Sequence, residues 1–543
     1  MSSLWTKNLN INLIFALILK TMKQEKHFLF LILVLIPFFK MNAQTFVLDN
    51  SYGTMGATTT FTDCNSSFLL NDNKLLVASG LSANFGIPGP TIGIKKYMED
   101  GGIDSTFGVN GTGLYTPTNI NDRFNIFGIT VQSDNKIIVV GQTYAIGSFA
   151  YYYNFFLFRF NAEGTPDTSF GTNGLVKYSI NSFNQLRERF NDVIVDDFGK
   201  ILVVGYTEAD ADSKKNAVAM RFLSNGVLDS SFANYGILQL DISDSDSFNK
   251  IKILDDSSIF IGGIKTTSMD NLDMIVLKLN VSNGTYDLSF GTNGILTIDY
   301  FGTNDLFNDL FLIPNNKIMI AGSCLSGMIF TQIDESGNLD ISFSDDGKNV
   351  TSVNVPDHYP AFIDNISLLP DNKYLVYSST KRSDNSSNNY DFVVVRINEN
   401  TTLDTSFALS GVFVNVTTAT SEYASSMQIQ NDGKVLLLSQ FWNSSLVYSG
   451  VVFRYLNGFT LKVNAISKEQ HNLKIFPNPI LNNLEILSDK EIYKIEIYNI
   501  EGKKIKTVSS GFSIIDFSNI AQGVYFLKIF IGEYIYNEKV IKE

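Results

Sequence analysis

The chain has 543 residues, of which 44% are hydrophobic and 17% charged, and it carries a net charge of −13 with two Cys and three His. That acidic balance disfavours nucleic acid and anionic membrane surfaces as general partners. So few His and Cys leave a zinc centre or a Ser/His/Asp triad poorly supported. Cys64 and Cys324 fall at different places in the repeat described below and read as buried free thiols.

Residues 1–43 are expected to be a signal peptide rather than fold. Met22-Lys-Gln-Glu-Lys26 is a basic start, an apolar run follows from Phe28 to Phe39, and Met41-Asn-Ala43-Gln44 supplies the small residue for cleavage. The run is short for a membrane span. A second apolar stretch, Ile11–Leu19, precedes it; because the signal is complete from Met22, translation is expected to start there, the alternative being a helical hairpin anchor. Removing five Lys and one Glu with residues 1–43 leaves −17 on the remainder.

From Asp49 onward one short stretch recurs. Asp49-Asn-Ser51-Tyr52-Gly53 is followed by Asp104-Ser-Thr106-Phe107-Gly108, Asp167-Thr-Ser169-Phe170-Gly171 and Asp229-Ser-Ser231-Phe232-Ala233. Asp287-Leu-Ser289-Phe290-Gly291, Asp340-Ile-Ser342-Phe343-Ser344 and Asp404-Thr-Ser406-Phe407-Ala408 complete seven copies, spaced 53 to 64 residues apart. A Gly closes each copy three residues later, and such a period means a repeat architecture. Asp and Ser can hold an Asx turn, Gly supplies positive φ, and the aromatic is expected to pack inward. Seven turn caps explain the seven Asp better than seven ligands do.

A second signature lies between these turns: Asp134-Asn-Lys136-Ile-Ile-Val-Val-Gly141, Phe198-Gly-Lys200-Ile-Leu-Val-Val-Gly205, and copies at Lys74, Asp255–Gly262, Lys317, Lys373 and Lys434. It reads as a polar hairpin tip entering an apolar strand buried on both faces. A third, around Arg159, Arg221, Arg396 and Arg454, alternates apolar and polar residues, as a half-exposed strand would. Each module then reads as four short strands; between Gly174 and Asp229 they are Leu175–Ser179, Asp192–Asp196, Lys200–Tyr206 and Ala217–Leu223. The fold class is all-β, and seven such units over 44–458 predict a seven-bladed β-propeller. The lone Asp49 turn, docked on the last module, would close the ring; the alternative is an open β-solenoid. The Leu-Asp-x-Ser-Phe-Gly-x-x-Gly and Asp-x-Lys-Ile-x-Val-x-Gly patterns resemble the delta-60 repeats of bacterial β-propellers. That resemblance implies the propeller fold and no assigned catalytic residues; Ala233, Ser344 and Ala408 depart from its first Gly.

The period stops at Gly458, and 459–473 reads as a polar linker. Residues 474–543 alternate strand and turn signals, with nine Lys against nine acids, and predict a small β-sandwich whose entry Pro477 and Pro479 rigidify. Phe476-Pro-Asn-Pro479, Tyr498-Asn-Ile-Glu-Gly502-Lys503, Gly523-Val-Tyr525 and Lys539-Val-Ile-Lys542 resemble the type A C-terminal sorting domain of the type IX secretion system. The resemblance implies export by that machinery in a Bacteroidetes-type bacterium, with release or attachment at the outer cell surface; the alternative is an ordinary terminal β-domain.

Chemistry is scarce. His27 and His471 lie in the signal and the linker, so His358, in a Pro-flanked loop, is the one His of the repeat region. Arg123, Arg187, Arg189 and Arg382 are off-period and therefore more telling than the repeated Arg, but share no motif. Asp241, Asp244 and Asp246, or the hairpin tips, could hold calcium, though neither matches a twelve-residue calcium loop. No catalytic, cofactor or metal residue is put forward. Two functions stay open: a secreted or surface-displayed binding or scaffold module for glycan or protein, or an extracellular polysaccharide hydrolase or lyase using channel carboxylates.

Overall fold

The computed structural model describes residues 46–457 and 474–543, except 62–63, 82–90, 120, 147–150, 181–185, 209–213, 256, 269–270, 384–388, 409, 417–420, 443–447, 489–491, 500–503, 509 and 532–533. The expected signal peptide and linker lie outside the described residues. The chain forms two units, Met1–Phe459 and Thr460–Glu543.

The first unit contains six four-stranded antiparallel sheets and one of five strands among the described residues. Sheet 1 runs Cys64–Leu69, Leu75–Leu81, Thr91–Tyr97, Thr112–Tyr115; sheet 2, Asp122–Val131, Ile137–Ile146, Tyr151–Phe160, Leu175–Tyr178; sheet 3, Glu188–Val195, Ile201–Glu208, Lys215–Phe222, Ile237–Leu240. Sheet 4 is Asp246–Asp255, Ser258–Ser268, Asn271–Asn280, Ile295–Ile298; sheet 5, Asp305–Ile313, Lys317–Cys324, Gly327–Ile333, Lys348–Thr351; sheet 6, Asn365–Leu368, Tyr374–Lys381, Tyr390–Ile397, Val412–Asn415. Sheet 7 joins Ser421–Ile429, Val435–Trp442 and Tyr448–Leu456 to two N-terminal strands, Val47–Leu48 and Ala57–Thr60, both paired with Tyr448–Leu456.

Each sheet packs between two others. The apolar cores are shared by consecutive sheets: Leu76 and Ile94 meet Val139 and Phe156, and Leu202 and Val204 meet Ile261 and Ile275. Sheet 7 packs in the same way on sheet 1, through Leu436, Leu438, Val452, Val77 and Tyr97. Ser426 Oγ lies 2.8 Å from Ser67 Oγ, and Gln428 donates to the Ser67 carbonyl at 2.9 Å. Flanked on both faces, the second strand of sheet 3, Ile201–Glu208, is buried along its whole length.

In sheets 1–6 the Asp turn lies in the reversal between the third and fourth strands, and in sheet 7 it joins the two N-terminal strands that pair with Tyr448–Leu456. Leu175–Tyr178 pairs with Phe155–Phe158, so the strand after the turn completes the sheet before it rather than opening the next module. The connection through the Asp turn, 161–174, is folded back on the third strand by its own backbone bonds, from the Asp167 amide to the Arg159 carbonyl and from the Arg159 amide to the Gly174 carbonyl, so the chain reverses within the sheet. The Arg-bearing third strands also differ from the sequence expectation: Phe155–Phe160 is wholly buried, and so are Arg159, Arg221, Arg396 and Arg454. Their charges are met by the Asp turns, which lets a strand that alternates in polarity lie inside.

In all seven turns the Asp Oδ1 accepts from the hydroxyl two residues on, at 2.5–2.7 Å, and from the amide of that residue. Oδ2 takes the cations. Asp229 binds Arg221 at 2.8 Å and Lys200 at 2.9 Å; Asp404 binds Arg396 and Lys373, both at 2.7 Å. Asp167 does the same with Arg159 and Lys136. The three repeated signatures thus meet at one point. The turn aromatic packs beneath, with Arg221 4.8 Å above the Phe232 ring and Arg454 4.7 Å above Tyr52. Arg221 also donates to the carbonyls of Val281 and Ser282, tying sheet 3 to sheet 4.

In the second unit, Lys474–Phe476, Asn483–Leu487 and Ile514–Asp516 form one sheet, and Lys504–Val508, Ile492–Asn499, Gly523–Ile531 and Tyr534–Lys542 another. They share a core of Leu484, Ile486, Ile495, Ile497, Phe517, Leu527 and Ile529. Asn478, between the two prolines, bonds the last strand twice, donating to the Lys539 carbonyl at 3.0 Å and accepting from the Ile541 amide at 2.9 Å.

Candidate functional site

The first strands of sheets 1–5 and 7 each carry a β-bulge, at Asn65, Phe127, Asn191, Asn249, Asn308 and Ser425. In sheets 2–5 the Gly that ends the second-strand signature sits opposite it, as Gly141 pairs with Ile126 and Gly205 with Phe190, while Ser79 and Ser439 stand there in sheets 1 and 7. A Cβ on Gly205 would stand 1.9 Å from the Arg189 carbonyl, so in sheet 3 the bulge closes down on a glycine. Residues at and beside these bulges, together with 363–367 at the head of sheet 6, line a cavity of about 980 Å³.

The lining is mostly polar: Asn65, Ser66, Ser67, Asn308, Asn365, Ser425, Ser426 and Gln428, with Asp192, Lys250, Asp309 and Asp364. Several of these groups are engaged. Asn308 donates to the Ile363 carbonyl at 2.6 Å across a sheet boundary, as Asn191, next to the lining Asp192, does to the Phe248 carbonyl at 2.7 Å. Asp192 faces Lys250 at 3.8 Å and accepts from the Ile251 amide; Asp309 pairs with Lys252 at 2.7 Å. Asp364 accepts from the Ser379 amide at 2.7 Å. Burial pushes the Asp192 and Asp364 carboxyls up, and Asp192 raises the Lys250 ammonium. On the same wall Tyr390 and Tyr423 lie with ring centroids 5.1 Å apart, tilted 35°.

A second cavity, of about 480 Å³, shares Lys250, Asn308 and Asp364 with the first and adds Arg189, Tyr206 and Lys215. Arg189 lies 3.5 Å above the Phe127 ring, and burial pulls its guanidinium down. Arg187 sits 5.5 Å above Tyr153, and Lys215 4.4 Å above Tyr206. Two of the four off-period Arg therefore come together here. The other two lie elsewhere. Arg123 donates to the Asp122 carbonyl, and Arg382 chelates the buried Asp391, which also meets His358 Nε2 at 2.9 Å. His358 Nδ1 faces the Pro356 carbonyl, so the ring is held in place by its loop. Asp241, Asp244 and Asp246 do not converge: Asp246 caps Ile242 and Ser243, and Asp244 reaches Lys214. Cys64 and Cys324 are both buried and are not joined by a disulfide.

The motif reading missed the bulge column, although a signal for it exists. Asn65, Phe127, Asn191, Asn249, Asn308, Asp364 and Ser425 each stand seven residues ahead of a hairpin tip. The Tyr390–Tyr423 pair has no such signal, because the two residues come from different strands of different repeats.

Comparisons with known proteins bear on both units. The family described as "Secretion system C-terminal sorting domain" matches residues 474–543, and a β-propeller domain of unknown function, DUF5122, matches 132–170, 199–232 and 369–407. No curated protein matches the sequence. Among solved structures, prolyl oligopeptidase B from Galerina marginata is similar over 90% of this chain and 57% of its own, at 11% identity and TM-score 0.40. Virginiamycin B lyase from Staphylococcus aureus is similar over 67% and 91%, at 8% identity and TM-score 0.31. The α-L-arabinofuranosidase of Fusarium graminearum is similar over 61% and 93%, at 10% identity and TM-score 0.34. This chain spans little more than half the length of the first of these, and none is near enough to carry an argument. Among the described residues no helix is long and apolar enough to cross a membrane. The sorting tail implies engagement with the type IX secretion machinery, and it marks this β-propeller protein for export to the cell surface or the outside.

Proposed function

We propose that the exported chain is a seven-bladed propeller of delta-60-like repeats, spanning 44–458 and closed by its N-terminal strands, that binds glycan at the central cavity. In this reading residues 1–43 are removed as a signal peptide, 459–473 is a linker and 474–543 is a β-sandwich address. The carrying observation is the Tyr390–Tyr423 pair on a wall of amides and hydroxyls. Aromatic faces take the apolar side of a sugar ring while fixed amides and hydroxyls take its hydroxyl groups. The carboxylates of the cavity are engaged by Lys250, Lys252 and backbone amides, which favours binding over turnover.

A second reading, polysaccharide cleavage, draws on Asp192 and Asp364, two carboxyls raised by burial in one cavity, as a general acid requires. A glycan array probed with the mature chain, read for both retention and released product, decides between them. Retention without product, lost in Tyr390→Ala with Tyr423→Ala, supports binding. Product formation abolished by Asp192→Asn or Asp364→Asn supports the enzyme, and silence on glycans sinks both.

A further inference from the structure

At the junction of sheets 4 and 5, away from the residues that line the central cavity, Asp273 of the third strand of sheet 4, Asp299 of the connecting loop and Asp305 at the head of sheet 5 converge. One carboxylate oxygen from each lies within 4.8 Å of the others. Asp305 is 0% exposed and Asp273 6%, while Asp299 is open to solvent. Asp305 Oδ2 accepts from the Tyr300 amide, but its Oδ1 is buried with no hydrogen-bond partner, and so is Asp273 Oδ1. Asn271 Oδ1 is a third buried oxygen without a partner, two residues from Asp273 and so on the same face of the strand. Among the described residues no Lys or Arg forms an ion pair with any of the three Asp; the Lys348 ammonium is held instead by the Asp299 carbonyl, at 2.7 Å.

The molecule carries its own controls. Asp391 occupies in sheet 6 the register that Asp273 holds in sheet 4, each standing one residue before the pairing with the fourth strand. Asp391 is answered by Arg382 on both oxygens and by His358. Asp122 heads the first strand of sheet 2 as Asp305 heads that of sheet 5, and Asp122 is answered by Lys177. Asp391 and Asp122 meet cationic side chains, and Asp246, at the head of sheet 4, is met by the Ile242 and Ser243 amides and the Ser243 hydroxyl, but where Asp273 and Asp305 share a site with Asp299 the protein supplies no contacting cation. Buried, unpaired carboxylate oxygens are costly unless something positive reaches them.

We propose that Asp273, Asp299 and Asp305 bind a divalent cation from solution, Ca²⁺, with Asn271 Oδ1 as a further ligand. An all-oxygen set of carboxylates and one amide suits a hard cation rather than a transition metal. Ca²⁺ accepts irregular shells of six to eight oxygens at about 2.3–2.6 Å, so water entering beside the exposed Asp299 completes the shell, whereas Mg²⁺ demands a near-ideal octahedron. An exported protein meets calcium at concentrations that match the weak sites of extracellular modules, with Kd of about 10⁻⁴–10⁻³ M.

The test uses the full mature chain, stripped with EDTA and dialysed, then titrated calorimetrically with CaCl2 and followed in thermal unfolding. One equivalent of Ca²⁺ is expected to bind, and a tenfold excess over Kd should raise Tm by about 2 °C. Asp299→Asn should weaken binding at least tenfold and leave the metal-free Tm unchanged, because Asp299 is exposed. Asp305→Asn should abolish the calcium response yet raise the metal-free Tm, because it removes a buried charge from among like charges. No heat from Ca²⁺ with the wild-type chain overturns the proposal. So does a calcium response retained in both variants, or a response to Mg²⁺ with none to Ca²⁺.

Discussion

Arg221 shows how much one repeated residue does. It is 1% exposed, neutralised by Asp229, stacked on Phe232 and bonded to the next sheet. Removing one partner of a buried pair strands the other charge, so Asp229→Asn is expected to cost about 3–5 kcal/mol in denaturant unfolding. At Asp287 the partner is Lys278 and the carboxylate is 28% exposed; Asp287→Asn should cost less than about 1 kcal/mol. Equal losses at the two sites would show that the turn cap, common to both, matters more than the ion pair. These carboxylates also set the acid limit. Burial pushes Asp404 up, but Lys373, Ser406 and Arg396 outweigh it and hold it at about 2; Lys317 and Ser342 hold Asp340 at about 2 as well. Groups depressed in the folded state contribute stability that is present above the unfolded carboxylate value of about 3.9 and lost as pH falls toward 2. The denaturation midpoint, followed by circular dichroism, should therefore fall steeply between pH 4 and pH 2, and less steeply in Asp404→Asn.

At the scale of the element, the bulge and its facing glycine act as a unit. Gly205→Ala places a Cβ 1.9 Å from the Arg189 carbonyl, so either the bulge or the second strand must move. A cost of about 1–3 kcal/mol is expected from denaturant unfolding, together with weakened ligand retention, because Arg189 and Asn191 line the second cavity, which shares Lys250, Asn308 and Asp364 with the first. Gly199 is a contrasting case. It sits at a hairpin tip with φ +75°, and a Cβ there would have no atom closer than 3.8 Å; Asn73, Asn135 and Asn372 hold the same tip position at φ 61–64°. Gly199→Asn should therefore change stability by less than about 0.5 kcal/mol. The asymmetry follows from space: one glycine is needed for contact, the other for a backbone angle that Asn also adopts.

At the scale of the molecule, the two ends of the repeat region are joined without a covalent link. Arg454 on the last strand donates to Asp49 at 2.9 Å, and Phe46 stacks on Tyr455 with centroids 4.5 Å apart. Deleting residues 44–60 should expose the edge of Tyr448–Leu456, strand the Arg454 charge and give a chain that aggregates in size-exclusion chromatography. Asp49→Asn should cost about as much as Asp229→Asn, since both leave a buried Arg unanswered. A closure contact of small consequence would instead leave Asp49→Asn near wild type.

Residues that act through neighbours in the chain could be read directly. The Asp-x-Ser-Phe turns, the hairpin tips and the strands between them depend on local hydrogen bonds and on apolar period, and both are written in order along the sequence. So was the address, carried by Phe476-Pro-Asn-Pro479 and the strands after it. The burial of Arg159, Arg221, Arg396 and Arg454 could not be read, because the Asp that neutralises each arrives through a turn and the carbonyls that complete its shell arrive from another repeat. The Tyr390–Tyr423 pair and the Asp273–Asp299–Asp305 cluster belong to the same class. Their members are ordinary residues in their own strands, and only the packing of sheet against sheet brings Tyr390 to Tyr423, or three like charges to one point. Local physics is repeated and so can be recognised, whereas the aromatic pair and the acidic cluster lie where the repeats differ and are made by contacts between them.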